Sequence, residues 1–172
     1  MGIAIRPASS PPALATLVFL TALSTITLNM FLPSLSKMAE EFSVSYAVMA
    51  LSVSGYLAAT GLVMLIMGPL SDRYGRRPIL LIGVSIFVVA SALCTIATNV
   101  WVFLAFRVLQ GAIVSAWTIA LAVVRDTVEA SQAASRIGYI TMAMAVAPML
   151  SPVLGGFLDE ALGWRSNFAL FT

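Results

Sequence analysis

The charged residues of this chain stand in short groups separated by long apolar runs. Thirty uncharged positions lie between Arg6 and Lys37, and four further uncharged runs of 17 to 30 residues follow along the chain. Because a helix needs about 20 mostly apolar residues to cross a bilayer, the pattern predicts membrane-spanning helices. The predicted spans cover about 13–35, 46–71, 79–98, 100–124 and 136–158, and a sixth begins at 164–172.

These spans predict one all-α transmembrane domain over 1–172. Neither a low-complexity stretch nor a linker long enough for a second domain interrupts the pattern. The first apolar run is longer than the hydrophobic region of a signal peptide, and no clear cleavage site follows it. We therefore interpret this run as a retained first span.

Composition favours a membrane protein over a soluble one. Charged residues make up 9% of the 172 positions and hydrophobic residues 60%, whereas about 25% of an ordinary soluble domain is charged. A soluble domain of this composition would expose too much apolar surface to water. The net charge of +2 is small and scattered, so nucleic acid is not an expected partner.

Several kinds of chemistry are disfavoured by the residues present. The chain has no histidine, and its single cysteine, Cys94, lies in an apolar run and is predicted to be a small buried hydrophobic residue. We find no metal-ligand cluster, no nucleophile–base set and no phosphate-binding glycine-rich loop. The sequence therefore predicts neither an enzyme nor ATP-driven transport, and we expect no metal or cofactor.

The basic residues predict an orientation in the membrane. Six of them fall on one side of the predicted spans, namely Arg6, Arg73, Arg76, Arg77, Arg125 and Arg136. The other side carries Lys37 and Arg165. Because short cytoplasmic loops are enriched in lysine and arginine, we expect the amino terminus to be cytoplasmic.

The loop after the second span has an order that positive charge alone does not explain. Residues 68–78 read G-P-L-S-D-R-Y-G-R-R-P. Gly75 permits a sharp turn, and Gly68 allows another helix to approach closely. Asp72 can pair with Arg76 or lie at a helix amino terminus. A loop that only anchors the chain would explain the arginines but not the order of the glycines and the aspartate.

Arg107 lies about seven residues into the fourth predicted span, with Gln110 and Gly111 after it. An arginine at the centre of a span costs about 2.5–3.5 kcal/mol on insertion scales. Such a residue usually faces a water-filled cavity or a partner, and we favour that position. The alternative is that the side chain extends to the outer interface, about 10 Å away at the rise of an α-helix.

The fifth span carries a stripe of small residues at every fourth position, Ala143, Ala147, Ser151 and Gly155. Small residues allow helices to pack closely in membranes. Two prolines, at 148 and 152, interrupt the backbone hydrogen bonds and should bend the helix. An ordinary packing face with kinks is the simpler interpretation of this pattern.

The ordered loop resembles a known family signature. The pattern G-x-L-x-D-R-x-G-R-R is similar to the signature loop of the major facilitator superfamily. The resemblance implies a cytoplasmic latch, in which Asp72 and Arg76 form a charge cluster with Asp126 and hold two halves of a transporter together when it faces outward. The residues implied for the latch are Gly68, Asp72, Arg73, Gly75, Arg76, Arg77 and Asp126.

Two further motifs resemble the same superfamily. R-x-x-Q-G is similar to its fourth-helix motif, which implies that Arg107 faces the cavity near the first helix and takes part in substrate and proton transfer. A-P-x-x-S-P-x-x-G-G resembles the fifth-helix antiporter motif of drug exporters, with alanine where glycine is commoner. The residues implied are Asn29, Arg107, Gln110 and Gly111 for the cavity, and Ala147, Pro148, Ser151, Pro152, Gly155 and Gly156 for the antiporter motif.

The whole chain resembles the bicyclomycin/chloramphenicol-type drug exporters (the Bcr/CflA group). The resemblance rests on N-M-F-L-P at the end of the first span, on Arg125-Asp126, and on G-W-R at 163–165. That group usually has an aspartate where this chain has Asn29, and an amide cannot exchange a proton in the physiological range. Asn29 is therefore either a coupling position that has lost its acid or a hydrogen-bonding packing residue.

The resemblance implies the amino-terminal five to six helices of a twelve-helix transporter that exports drug-like molecules against protons across a bacterial inner membrane. The implied partners are lipid, a small-molecule substrate, protons and a missing carboxy-terminal half, without which we expect no transport. One alternative is a nutrient or metabolite transporter of the same fold. Another is a non-transporting membrane scaffold or the remnant of a truncated gene.

Overall fold

The computed structural model describes residues 13–172. Arg6, on which part of the predicted orientation rests, lies outside the described residues. The described residues form helices and no strands: α1 (Leu14–Asn29), α2 (Leu35–Glu41), α3 (Tyr46–Tyr74), α4 (Arg76–Ile96), α5 (Val100–Gln110), α6 (Ser115–Thr127), α7 (Ala130–Leu162) and α8 (Arg165–Ala169).

Five helical segments of the described chain are long and apolar enough to cross a membrane. They cover Leu14–Glu41, Tyr46–Tyr74, Arg76–Ile96, Val100–Thr127 and Ser131–Leu162. The predicted all-α transmembrane class is thereby confirmed. We call the end of the bundle at which α3 meets α4 the Arg76 end, and the opposite end, where α2 finishes, the Glu41 end.

The first segment is broken near its middle. After α1 ends at Asn29, Met30 and Phe31 form a turn, and a short 3-10 helix at Leu32–Ser34 leads into α2. Pro33 lies in this 3-10 helix, where its lack of a backbone N–H and its fixed φ favour a new start over a continued α-helix. Helical structure therefore continues to Glu41, beyond position 35 at which the sequence predicted the span to end.

The fourth segment is broken as well. Asn99 begins α5 by accepting hydrogen bonds from the backbone N–H groups of Trp101 (2.9 Å) and Val102 (3.3 Å). After Gln110 the helix tightens to a 3-10 helix over Gly111–Val114 before α6 begins. Tight turns inside a long helix often mark a hinge or a functional site.

Glycines let two pairs of helices approach closely. A Cβ at Gly111 would lie 3.0 Å from the Cβ of Ala59 on α3. A Cβ at Gly155 on α7 would lie only 1.6 Å from the carbonyl oxygen of Met30 at the end of α1. The backbone of α7 thus rests directly on the break in the first segment, as close packing at small residues allows.

The interior is divided into three clusters along the bundle. At the Glu41 end, aromatic rings pack edge to face, with Phe103 5.4 Å from Phe168 and 5.8 Å from Trp164 between ring centroids. Met30, Tyr56, Phe87, Ile113 and Phe171 form the middle cluster. Aliphatic residues, including Leu17, Ile79, Ile119, Val124 and Ile140, fill the Arg76 end.

The outer surface of the bundle is apolar. Leu65 on α3 is 75% exposed, and Met149 and Phe157 on α7 are 74% and 70% exposed. In water such a continuous apolar surface would be unfavourable, whereas lipid tails or another apolar part of a protein solvate it. The surface therefore agrees with a multi-pass membrane protein.

Candidate functional site

The Arg76 end brings three charged residues from three helices together. One terminal nitrogen of Arg76, Nη2, lies 2.6 Å from Oδ1 of Asp72 on α3 and 3.3 Å from Oδ2 of Asp126 on α6. The other, Nη1, donates a 2.7 Å hydrogen bond to Oγ of Ser71. Arg76 thus connects the ends of α3, α4 and α6 through one guanidinium group.

The turn that aligns this cluster depends on Gly75. Its φ of +97° lies in the left-handed region, which glycine adopts without steric cost. The N–H of Gly75 donates a 2.9 Å hydrogen bond to the carbonyl of Ser71 and so closes the end of α3. Because α4 begins at the next residue, this single turn directs Arg76 back toward Asp72.

The other residues implied for the latch lie outside this ion-paired group. Arg73 is exposed, with its guanidinium carbon 5.5 Å from the centre of the Tyr74 ring, and Arg77 is also exposed. A Cβ at Gly68 would meet no described atom within 4 Å. Gly68 instead borders an open cleft of about 420 Å³ between α3 and α6, which is lined by Met64, Gly68, Asp72, Arg76, Trp117, Thr118, Leu121, Ala122 and Arg125.

Arg107 lies in the interior of the bundle, with 0% of its surface exposed. Its guanidinium carbon is 4.1 Å from the ring centre of Phe31, 4.8 Å from that of Tyr56 and 5.7 Å from that of Phe168. Aromatic faces attract a cation electrostatically. The side chain is therefore enclosed by three rings rather than extended to the bundle surface.

A chain of hydrogen bonds leads from Arg107 to α4. Nη1 of Arg107 donates to Oε1 of Gln110 at 2.6 Å, and Nε2 of Gln110 donates to Oγ of Ser91 at 2.7 Å. Ser91 in turn donates to the carbonyl of Phe87 at 2.8 Å. Gln110 and Arg107 thus form one connected polar group, and Gly111 packs beside it against α3.

Two donors of Arg107 remain without a partner. Neither Nε nor Nη2 has a hydrogen-bond acceptor among the described residues. Asn29 does not supply one either, and its side-chain nitrogen donates a 2.7 Å hydrogen bond to the carbonyl of Thr25 on its own helix. The structure therefore brings Arg107 and Gln110 together but gives Asn29 no bond to either of them.

The small-residue stripe of α7 faces α1. Ala147, Ser151 and Gly155 are buried, and a Cβ at Gly156 would lie 4.0 Å from Cβ of Pro33. The prolines at 148 and 152 are half-buried, and α7 runs from Ala130 to Leu162 through both. Gly155 and Gly156 of the proposed antiporter motif thus lie against the broken first segment.

The sequence did not predict a second polar cluster, which lies at the Glu41 end. Glu41 accepts a 2.6 Å hydrogen bond from Nε1 of Trp164 and forms an ion pair with Arg165. Arg165 also donates to the carbonyl of Ala97 at 3.2 Å. Glu41 and Trp164 are 123 positions apart, and no local spacing indicates such a contact.

The described residues contain no group of three or more histidine, cysteine, aspartate or glutamate side chains placed to hold a metal ion. Lys37 pairs with the buried Asp159 at 3.0 Å near the Glu41 end. Each ion pair found in residues 13–172 therefore lies at one end of the bundle, and the charge in its interior belongs to Arg107.

Comparison with known proteins gives one family. The sequence profile described as Major Facilitator Superfamily matches residues 17–172. Multidrug resistance protein D of Escherichia coli (strain K12) is 31% identical over 156 residues, which make up 90% of this chain and 40% of that protein. The chloramphenicol resistance protein of Pseudomonas aeruginosa is 36% identical over 149 residues, or 86% of this chain and 36% of that protein.

A third relative has a similar match. Multidrug resistance protein MdtL of Shigella boydii serotype 18 is 32% identical over 142 residues, which cover 82% of this chain and 36% of that protein. The chain thus spans 40% or less of the length of these curated relatives. Their likeness to this chain agrees with the resemblance to drug exporters found in its motifs.

Proposed function

Because the chain belongs to the Major Facilitator Superfamily, we propose that it forms the amino-terminal part of a secondary transporter that exports drug-like molecules in exchange for protons. We use the term full polypeptide for the longer protein that would contain this chain. The observation that carries the proposal is the bridge from Arg76 to Asp72 and Asp126 at the ends of three helices. The names of the relatives, which refer to resistance to several drugs and to chloramphenicol, support the substrate class.

The Arg76 bridge is suited to a contact that forms and breaks during transport. Arg76 is partly exposed, while Asp72 and Asp126 are exposed. Exposed ion pairs contribute at most about 1 kcal/mol each, so little free energy is needed to open them. In the proposed cycle, the bridge presents a charged surface beside the cleft at Gly68, and a second half of the transporter docks there when the pathway faces outward.

The distribution of basic residues supports one orientation in the membrane. In the described part of the chain, five arginines are placed toward the Arg76 end, namely Arg73, Arg76, Arg77, Arg125 and Arg136. The Glu41 end has Lys37 and Arg165. By the positive-inside rule we propose that the Arg76 end is cytoplasmic, and with it the amino terminus of the chain.

The proton carrier is proposed to lie elsewhere in the full polypeptide. Among the described residues, the carboxylates fall near the ends of the helical segments. Asn29, where the resembled exporters usually have an acid, carries an amide that is bonded to Thr25. An amide does not titrate in the physiological range, so we assign Asn29 a packing role and the proton to an acid of the remaining sequence.

Drug accumulation in cells tests this function. Bacteria that lack their major drug exporters are made to express the full polypeptide, and intracellular chloramphenicol and ethidium are measured over time. We expect lower steady-state accumulation than in cells without the protein, and restored accumulation when a protonophore removes the proton gradient. Unchanged accumulation of both compounds at normal expression would contradict export of drug-like molecules.

A further inference from the structure

We propose that Arg107 binds a carboxylate edge-on, through Nε and Nη2, in the interior of the membrane domain. The inference rests on the proposed transport function and extends it by naming an acidic group as part of what this site recognises. Four features support the proposal: the hydrogen-bond partners of Arg107, the rings that enclose its side chain, the positions of the acids, and the breaks in two helices.

The donors left on Arg107 have the geometry of a carboxylate site. Nη1 is used by Gln110 at 2.6 Å, whereas Nε and Nη2 have no acceptor among residues 13–172. The N–H groups of Nε and Nη2 lie on the same edge of the planar guanidinium and point in parallel. Two parallel donors of this kind match the two oxygens of a carboxylate in a bidentate pair.

The enclosing rings do not satisfy the two free donors of this edge. The rings of Phe31 and Tyr56 lie within 5 Å of the guanidinium carbon, and Phe168 is at 5.7 Å. Aromatic rings attract the positive charge, but they do not replace the in-plane hydrogen bonds that an oxygen would accept. A planar ligand with two oxygens satisfies both donors, whereas a neutral apolar ligand leaves them buried and unpaired at considerable cost.

The described residues do not offer a counter-charge to Arg107. Asp72 and Asp126 pair with Arg76 at one end of the bundle. At the other end Glu41 pairs with Arg165, and Asp159 pairs with a lysine. Since a buried charge without a partner is strongly unfavourable, a negative group from outside this set is expected at Arg107.

Breaks in two helices lie beside the site. Phe31 lies in the turn that separates α1 from the 3-10 helix at Leu32–Ser34, and Arg107 lies one turn before the 3-10 helix at Gly111–Val114. Discontinuous helices commonly surround binding sites in transporters. A local change at the first break would move the Phe31 ring, which covers the guanidinium at 4.1 Å, and open the free edge.

The carboxylate has two possible sources. It belongs either to a transported organic acid or to an aspartate or glutamate in the rest of the full polypeptide. Both make the same bidentate contact, and the two measurements below distinguish them.

Equilibrium binding tests the first source. The full polypeptide in lipid nanodiscs is titrated with naphthalene-2-carboxylate and with naphthalene-2-carboxamide, in which an NH2 group replaces one charged oxygen at nearly the same size. We expect the carboxylate to bind roughly tenfold more tightly or better. Arg107→Gln should remove this preference, while Arg136→Gln, at an arginine toward the Arg76 end that is outside the implied latch, should keep it.

A second variant tests the same assignment if Arg107→Gln misfolds. Gln110→Glu preserves the size of the neighbouring side chain and places a negative charge at the position of Oε1, 2.6 Å from Arg107. This built-in counter-charge should reduce the preference for naphthalene-2-carboxylate to less than about threefold, because the charge of Arg107 is then compensated. An undiminished preference in either variant would overturn the assignment to Arg107.

Infrared spectroscopy tests the second source. If an acid of the full polypeptide fills the site, it is ionised beside Arg107 at neutral pH, and Arg107→Gln leaves it protonated in an apolar interior. A new carbonyl band of a protonated carboxyl group should then appear in the difference spectrum of the variant. The proposal is wrong if wild-type protein shows no preference for the carboxylate and the difference spectrum of Arg107→Gln shows no new carbonyl band. Because both measurements are made without a proton gradient, that result would leave export of neutral drugs, measured separately, unaffected.

Discussion

A single methyl group added at Gly155 tests the close contact between α7 and the turn that follows α1. The Cβ of an alanine there would lie 1.6 Å from the carbonyl oxygen of Met30 and 2.6 Å from its carbonyl carbon. Nonbonded carbon and oxygen atoms normally stay about 3.3 Å or more apart, so Met30 and α7 would have to separate by roughly 1.7 Å. The obstacle is backbone, which cannot rotate away as a flexible side chain does.

Overpacking of this kind costs about 1–3 kcal/mol, and occasionally more. We therefore expect Gly155→Ala to lower the midpoint of thermal unfolding of the full polypeptide in detergent by several degrees, at roughly 2–4 °C per kcal/mol. The measurement is the fraction of monodisperse protein on size-exclusion chromatography after heating at a series of temperatures.

Gly138→Ala is the matched control, because it adds the same methyl group to the same helix. An added Cβ there meets nothing within 4 Å, and alanine favours a helix over glycine by about 1 kcal/mol. The control should therefore unfold at or slightly above the wild-type midpoint. Equal midpoints for the two variants would refute the packing of α7 against the break after α1.

Three further changes test the charged and polar sites in the full polypeptide. Asp72→Asn should lower drug export at normal expression, because it weakens the bridge at the Arg76 end. Arg77→Gln, at an exposed arginine outside the ion-paired group, should have the smaller effect. Unchanged export by the Asp72 variant would exclude the latch. Arg107→Ala should abolish drug export or uncouple it from the proton gradient, and wild-type flux and coupling would exclude a transport role. Trp164→Phe keeps an aromatic ring but removes the hydrogen bond to Glu41, so the free energy of unfolding should fall by about 1 kcal/mol. An unchanged denaturation curve would show that this bond does not stabilise the bundle.

The charge pattern was sufficient to predict the fold class. Runs of 17 to 30 uncharged residues indicate membrane helices whatever their exact packing, because lipid accepts apolar side chains on every face. Exposed residues such as Leu65 and Phe157 illustrate the point, since a soluble helix would carry polar side chains there. The family was also predicted correctly, because the order of glycines and charges around Asp72 is specific.

The internal breaks were harder to predict. Pro33 and Gly111 are visible in the sequence, but each is compatible with the end of a span, a kink or a continuous helix. What decides the outcome is packing, since α7 rests on Met30 and α3 rests on Gly111. Such contacts join residues that are far apart in the chain, and hydrophobic runs carry no information about them.

The contacts at the candidate sites also differ in whether the sequence alone could predict them. Asp72 and Arg76 are four positions apart, on either side of the turn at Gly75, and an ion pair between residues so near in the chain is the kind of contact that local sequence predicts. The bond between Glu41 and Trp164 spans 123 positions and could not be predicted from spacing. The unpartnered edge of Arg107 also required coordinates, because the sequence shows where a charge lies but not which of its donors are used.

Transport by reconstituted protein tests the proposed exchange of drug for protons most directly. The full polypeptide is placed in proteoliposomes, a pH gradient with an acidic lumen is imposed, and uptake of ethidium is recorded together with the pH reported by a trapped dye. The proposed function predicts uptake into the acidic lumen, simultaneous loss of lumenal protons, and the end of both when an ionophore collapses the gradient. Uptake that proceeds equally with and without the gradient, or no uptake by protein that is folded and correctly inserted, would contradict it.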